Sequence, residues 1–357
     1  MIFALLSCQS APISSVQLNW MWKTIDPHVH SSLGSNDTDG LGTPDQIESA
    51  MTRANLDYII LTDHSNSQGS MSCVDVEDCP NQGPELTQGD WGEFVFHGSE
   101  LSPRSDEDNM SSPTGHIGCI STDGSGFPNT TFVDRPFGTV TGRETIEQCH
   151  NAGGWAILNH PFGPMPWVAF DWSASDFDAM EIYNGSAGFD GTDAQALEAW
   201  EEGLLEGFQW IPIGASDCHR WNTEAPGDLL NPALGWPRTS VGIKVEEHPL
   251  EALMEGRVII NDPQSHLNYW IESNGEAFGP GEKSNRGVLH FKASSEQDLN
   301  LELIKIGSGI IQTWTLPIDG STHISVEGMY YMRLWPQSGP QGAHGFAMGN
   351  IITIQQK

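Results

Sequence analysis

The chain has 357 residues, with 47 Asp and Glu against 15 Lys and Arg, a formal net charge of -32. That length holds one unit of α/β-barrel size with a smaller appendage, while the charge repels nucleic-acid polymers and anionic membrane surfaces and favours cations as partners. The acids are dispersed along the chain, as on a solvated acidic surface, and form no acidic tail.

Residues 1–23 read as a leader. The opening MIFALLSC contains Leu5, Leu6, Ser7 and Cys8, the pattern of a bacterial lipobox, but it lacks a basic n-region and its apolar run is short. A truncated lipoprotein signal, its start misplaced, with a lipid anchor at Cys8 is one reading; an accidental match is the other. No other stretch is apolar for long enough to span a bilayer. The setting expected is extracytoplasmic, in the periplasm or on the outer surface, with a cytoplasmic setting as the alternative.

Residues 24–264 alternate strand and helix patterns. After HVH, Thr43 is a helix N-cap, Pro44 takes the first helical position, and Ile47, Ala50, Met51 and Ala54 line one face. A buried strand follows at 57–61, then a long insertion from Ser65 to Gly92 that reads as surface loop. Further strands are expected at 94–96, 155–158, 179–183 and 210–213, with helices at 143–151 and 193–205. Such alternation predicts a parallel sheet, open or closed into a barrel. A last helix at 249–255 precedes a strand at 258–260, and residues 265–357 then read as a β-rich, sandwich-like domain with strands at 288–293, 301–306 and 330–334.

Cys73 and Cys79 flank a polar loop that suits a short disulfide or two free thiols, with a metal loop as the alternative, and Cys119 and Cys149 form a second possible pair. A disulfide would accord with export.

His28 and His30 stand two apart on a predicted strand, so both imidazoles leave the same face. Related residues fall at the ends of other predicted strands: Asp63 and His64 after DYIILT, Glu100 in FVFHGSE, His116 at the entrance of GHIGCI, His160 after WAILN, and Asp217 and His219 in IPIGASDCH. In an α/β barrel the carboxyl ends of the strands meet at one rim, where active sites are built. Imidazole and carboxylate donors suit zinc, manganese or iron and disfavour an all-oxygen calcium site. So many donors oversupply one tetrahedral ion and predict a multinuclear centre. Cys218 points to the opposite face from its neighbours and reads as core, and His97 as packing or surface.

These segments resemble the polymerase and histidinol phosphatase (PHP) superfamily of metal-dependent hydrolases, and within it the carbaryl-esterase-like branch, from Asp26 to Lys357. The matching pieces are DPHVHSS, TDGLGTP, LTDHSN, HGSEL, TGHIGCI, ILNHPFGP, MEIYNG, GASDCHR, WPRTSV, GRVIINDP and AMGNIITI. The resemblance implies a distorted (β/α)7 TIM-like barrel holding two or three divalent ions: one bound by His28, His30, Glu100 and Asp217, a second by Asp39, His64 and His219, and a third by His116 and His160 with Glu100 as bridge. Asp37 lies in the same loop as Asp39. It further implies ester hydrolysis by a metal-bridging hydroxide, most often of phosphomonoesters or phosphodiesters.

Asp63 is expected either to orient a ligand or to cap a strand end. Arg220 and Arg238 are expected either to bind a substrate anion or to form structural ion pairs. Carboxyl- or carbamate-ester hydrolysis is the alternative reaction, for which Trp167, Phe170, Trp172, Trp221 and Trp236 lie in segments able to line an apolar pocket. A third reading is a non-catalytic, metal-stabilised binding protein.

Overall fold

The computed structural model describes residues 16–32, 35, 38, 43–64, 92–101, 115–127, 142–163, 176–185, 188–228, 231–336, 339, 342 and 344–355. Cys8, Asp37, Asp39, Cys73, Cys79, Trp167, Phe170, Trp172 and the insertion over 65–91 lie outside them.

Strand β1 (Met21–Val29) runs parallel to β2 (Tyr58–Leu61), and β2 parallel to β3 (Val95–Leu101). Strand β4 (His116–Ser121) is antiparallel both to β3 and to β5 (Gly154–Asn159), after which β5, β6 (Ala179–Asn184) and β7 (Ile211–Ala215) are parallel. The sheet is therefore mixed, not parallel throughout as the strand and helix alternation predicts. Its reversed member, β4, is buried along its whole length between two partners.

Helix α1 (Pro44–Ala54) begins where predicted, with a Thr43–Gln46 capping box and Pro at its start. Helix α2 (Gly142–Asn151) packs behind β4 and β5, where Cys119 and Cys149 form a disulfide. Helix α3 (Gly191–Glu206) is started by Asp190, which accepts from the N–H groups of Thr192 and Asp193, and α4 (Pro249–Met254) is short. The described strands do not close into a barrel. Both edges of β1 are occupied, one by β2 and the other by the antiparallel strand Arg238–Ile243, so β7 meets β1 only at their ends. There Asp217 N donates to His28 O at 3.0 Å and His30 N donates to Cys218 O at 3.1 Å.

The C-terminal part is β-rich, as its alternating pattern suggests. Strand Ser265–Ser273 alternates buried and less buried residues along its length and pairs with Gly287–Ser295, which pairs with Ile318–Ile324. Leu267, Tyr269, Ile271, Leu289 and Phe291 on this sheet pack against Leu301, Leu303, Met332 and Leu334 on the strands Leu299–Lys305 and Gly328–Pro336. The second layer is continuous with the N-terminal sheet, because Ala347–Gly349 pairs with both Gly328–Pro336 and Val258–Asn261. Phe346 stacks on Phe189 with ring centroids 3.8 Å apart, so one core spans the junction.

Candidate metal centre

The strand ends bring eight of the nine ligand candidates into one cluster; the ninth, Asp39, lies outside the described residues. His28 is on β1 and His30 just beyond it, His64 follows β2, Glu100 is on β3, His160 follows β5, and Asp217 and His219 follow β7. Because β4 runs against its neighbours, its first residue, His116, reaches this rim rather than its last.

Glu100 is the hub. Its Oε1 lies 2.9 Å from His116 Nδ1, 3.2 Å from His28 Nε2 and 3.2 Å from His160 Nε2, and its Oε2 lies 3.2 Å from His64 Nδ1 and 3.4 Å from His30 Nε2. Burial opposes its charge, yet the imidazoles of His116 and His28 hold its carboxyl well below the usual range. Three donor groups form around it: His28 with His30 and Asp217; His30 with His64 and His219; and Glu100 with His116 and His160, each with its atoms within 4.8 Å of one another. His30 thus joins the group in which the resemblance placed Asp39.

The donor chemistry fits a cation. His28 Nδ1 is bound to Glu181 Oε1 at 2.8 Å, and His30 Nδ1 to Ser35 Oγ at 3.1 Å. Ser35 donates its own proton to Asp63 Oδ1 at 2.9 Å and accepts from His64 N at 3.1 Å, so His30 is the donor in its bond to Ser35. The two Nε2 atoms then face each other at 3.0 Å, with Asp217 Oδ1 at 3.4 and 3.2 Å. Such a contact needs positive charge, a proton or a metal ion, between its members. The local field supplies the bias: burial works against charging His28, but Asp217, Glu100 and Glu181 outweigh it and raise its pKa well above normal. Burial, reinforced by His219 and His64, pushes His30 down to about 3, the neutral form that ligates metal.

Residues beyond the donors hold them in place. Asp63 is fully buried, accepts from both the N–H and the Oγ–H of Ser31, the latter at 2.6 Å, and from Ser35; burial raises its pKa to about 6. Its carboxylate reaches His30 and His64 through Ser35, while its backbone carbonyl accepts from Glu100 N at 3.1 Å. Asp26, also buried, accepts from Ser216 N at 3.0 Å and Gly235 N at 2.8 Å, tying β1 to the chain after β7. Asn159 Nδ2 donates to Glu100 Oε1 at 3.0 Å. The residues themselves single out none of Ser35, Asn159 and Glu181 as site residues; only the last two lie next to motif histidines or within a matching piece.

Several other residues singled out in the sequence stand apart from the cluster. Arg238 does not face the cluster's cavity: its Nη1 donates to Ala54 O and Asn55 O at 3.1 and 3.3 Å, satisfying carbonyls at the end of α1. Arg220 is exposed and does not line the cavity either. Trp221 is buried with its indole N–H donating to His30 O at 2.6 Å, Trp236 sits by His344, and neither is among the described residues lining the cavity beside the cluster. Cys218 packs in the core with Val29, Ile59 and Leu61, as strand alternation predicts. His97 is buried on the face of β3 opposite Glu100, and burial lowers its pKa to about 4.

A cavity of about 200 Å³ opens beside the donors, lined by His160, Phe162, Glu181, Asp190, Asp217 and His219 among others. Among the described lining residues there is no Lys or Arg.

No family model matches the chain, and no curated protein does. Among solved structures it is similar to a two-domain protein containing a predicted PHP-like metal-dependent phosphoesterase from Bacteroides vulgatus, at 15% identity and TM-score 0.47, over 96% of this chain and 100% of that one. A putative metal-dependent phosphoesterase from Bifidobacterium adolescentis is similar at 12% identity and TM-score 0.38, over 64% and 95% of the two chains. An amidohydrolase from Chromobacterium violaceum is similar at 15% identity and TM-score 0.36, over 66% and 96%.

Proposed function

We propose that the chain is a metal-dependent hydrolase acting on ester bonds, of the PHP kind its motifs resemble, with phosphoesters as the leading substrates. The observation that carries this reading is the placement of Glu100 within 3.4 Å of five imidazoles, with Asp217 and His219 completing the cluster beside a cavity. His28, His30 and Asp217 would hold one divalent ion, His30, His64 and His219 a second, and Glu100, His116 and His160 a third, with zinc, manganese or iron matching the donors. When bound, such ions supply Lewis acidity toward a phosphoryl or carbonyl oxygen and acidify water.

The chain's own part is preorganisation. Glu181 and Ser35 engage the Nδ1 atoms of His28 and His30, which turns their Nε2 atoms into the cluster, and Asp63 fixes Ser35. Asn159 orients the Glu100 carboxylate from one side. Phe162 and Pro161 give the cavity a partly apolar wall able to exclude water from one side of a substrate.

Carboxyl or carbamate esters form the second reading, in line with the carbaryl-esterase-like branch. The absence of Lys and Arg among the described lining residues favours it, since a phosphate ester gains from cationic side chains near the ions. The Cys119–Cys149 disulfide supports the proposal that the protein works in an oxidising, extracytoplasmic setting.

Elemental analysis of the purified chain, with parallel turnover of p-nitrophenyl phosphate, bis-p-nitrophenyl phosphate and a naphthyl carbamate, tests the reading. Chelator-sensitive hydrolysis by protein carrying more than one equivalent of transition metal is expected, and the preferred ester chooses between the two reactions. Failure to bind metal after reconstitution would overturn the proposal.

A further inference from the structure

We infer that Glu181 is a positioning residue that couples two of the donor groups, fixing His28 in one and His160 in another; this rests on the metal-dependent reading above. Glu181 lies on β6 with only 1% of its surface exposed. Its neighbours Met180 and Ile182 enter the core under α3, and Ala179 packs inward among Ile157 and Ile213. An isolated carboxylate on that inner face would be strongly destabilising, and an aliphatic side chain would pack there without such a penalty.

Three contacts compensate. Oε1 accepts from His28 Nδ1 at 2.8 Å, while Oε2 accepts from the backbone N–H of His160 at 2.7 Å and from Asn184 Nδ2 at 2.8 Å. The first bond fixes the His28 tautomer, leaving Nε2 as the atom presented to His30 and Asp217. The second holds a strained turn: His160 has φ +26°, a conformation that a side-chain-bearing residue adopts only when its surroundings enforce it. That turn places His160 Nε2 at 3.2 Å from both His116 Nδ1 and Glu100 Oε1.

One carboxylate from β6 therefore sets a side chain from β1 and a backbone turn after β5. Glu181 is in none of the three donor groups, and both its oxygens already accept from the protein, so it acts through His28 and His160 and not as a ligand.

The test uses the full chain, stripped of metal and titrated calorimetrically with Zn²⁺, comparing wild type, Glu181→Gln and Glu181→Asp. Glu181→Gln is expected to weaken Zn²⁺ binding by about 10- to 100-fold. Its metal-free melting temperature should change far less than its Zn²⁺-bound one, and ¹⁵N-histidine spectra of the metal-free protein should show the His28 Nδ1–H resonance shifted as its bond to residue 181 weakens. Glu181→Asp keeps the charge but is too short to reach both partners, so an intermediate loss is expected; it carries the comparison if the Gln variant does not fold. Wild-type protein that binds Zn²⁺ alongside variants that bind it equally tightly, with an unchanged His28 spectrum, overturns the inference and leaves the hydrolase reading standing. Wild-type protein that binds none of Zn²⁺, Mn²⁺ and Fe²⁺ overturns both.

Discussion

Gly118 makes room for Asn159: a Cβ on Gly118 would stand 2.7 Å from Asn159 Oδ1 and 3.2 Å from Ile157 Cβ. The missing side chain on β4 is thus what allows the Asn159 amide to reach Glu100. Gly118→Ala should destabilise the fold by about 1–3 kcal/mol through overpacking. It should also weaken metal binding about tenfold by displacing a partner of Glu100. Denaturant midpoints and Zn²⁺ titration read the two effects separately, and wild-type affinity in the variant would count against the role given to Asn159.

Replacing the hub should be more severe. Glu100→Ala and Asp217→Ala each remove a carboxylate that faces several buried imidazoles, and both should lose metal and turnover together, with affinity falling by more than about 100-fold. Elemental analysis after dialysis checks this. Full metal content and activity in both variants would contradict the assignment.

Metal removal should also be visible in stability. A ligand that binds only the native state adds about 2.7 kcal/mol at a hundred times its dissociation constant. Chelator treatment is expected to lower the melting temperature, and added Zn²⁺ or Mn²⁺ to restore it; a melting temperature indifferent to metal would indicate that the cluster binds none.

The Cys119–Cys149 bond joins residues 30 apart in sequence. Closing a loop of that length restricts the unfolded chain enough to stabilise the fold by about 3–4 kcal/mol. Cys119 sits on the face of β4 opposite His116, so the double Cys→Ser variant should lose that stability while keeping its metal affinity at low temperature. Urea denaturation with and without reductant measures the loss.

Asp57 provides a pH test remote from the cluster. Burial works against its charge, but the Lys23 ammonium at 2.6 Å and the Thr24 N–H at 2.8 Å outweigh it and lower its pKa from 3.8. A depressed folded-state pKa contributes stability above the unfolded value, and that contribution is lost as the pH falls through the folded value. Solvent screening keeps it below about 1 kcal/mol. Asp57→Asn should therefore be slightly less stable than wild type at pH 7, with the difference shrinking below about pH 4; a difference that widened on acidification would refute the sign.

The parts of the site legible in the sequence are those governed by strand parity and strand ends. His28 and His30 share a face because they are two apart, Cys218 leaves that face because it is one from its neighbours, and His160 follows its strand directly. Parity could not reveal Glu181, since its partners His28 and His160 lie 153 and 21 residues away and a carboxylate in a strand resembles a surface position until its neighbours are known. Ser35 was hidden for the same reason, in a loop rich in Ser, Gly and Asp. The expected barrel is not shown, since beyond the parallel Val29–Cys218 bridge the second edge of β1 is taken by the Arg238–Ile243 strand, a segment recognisable only as the motif WPRTSV.

The short strand Ala347–Gly349, hydrogen-bonded on one side to the β-rich layer and on the other to Val258–Asn261, bears on how this architecture can be recombined. A chimera that grafted another β-rich tail after residue 264 would have to reproduce that three-residue staple, together with the Phe346 ring that stacks on Phe189, or leave Ile259 and Ile260 at a raw edge. The tail is thus less an interchangeable cassette than the last strand of its neighbour's sheet.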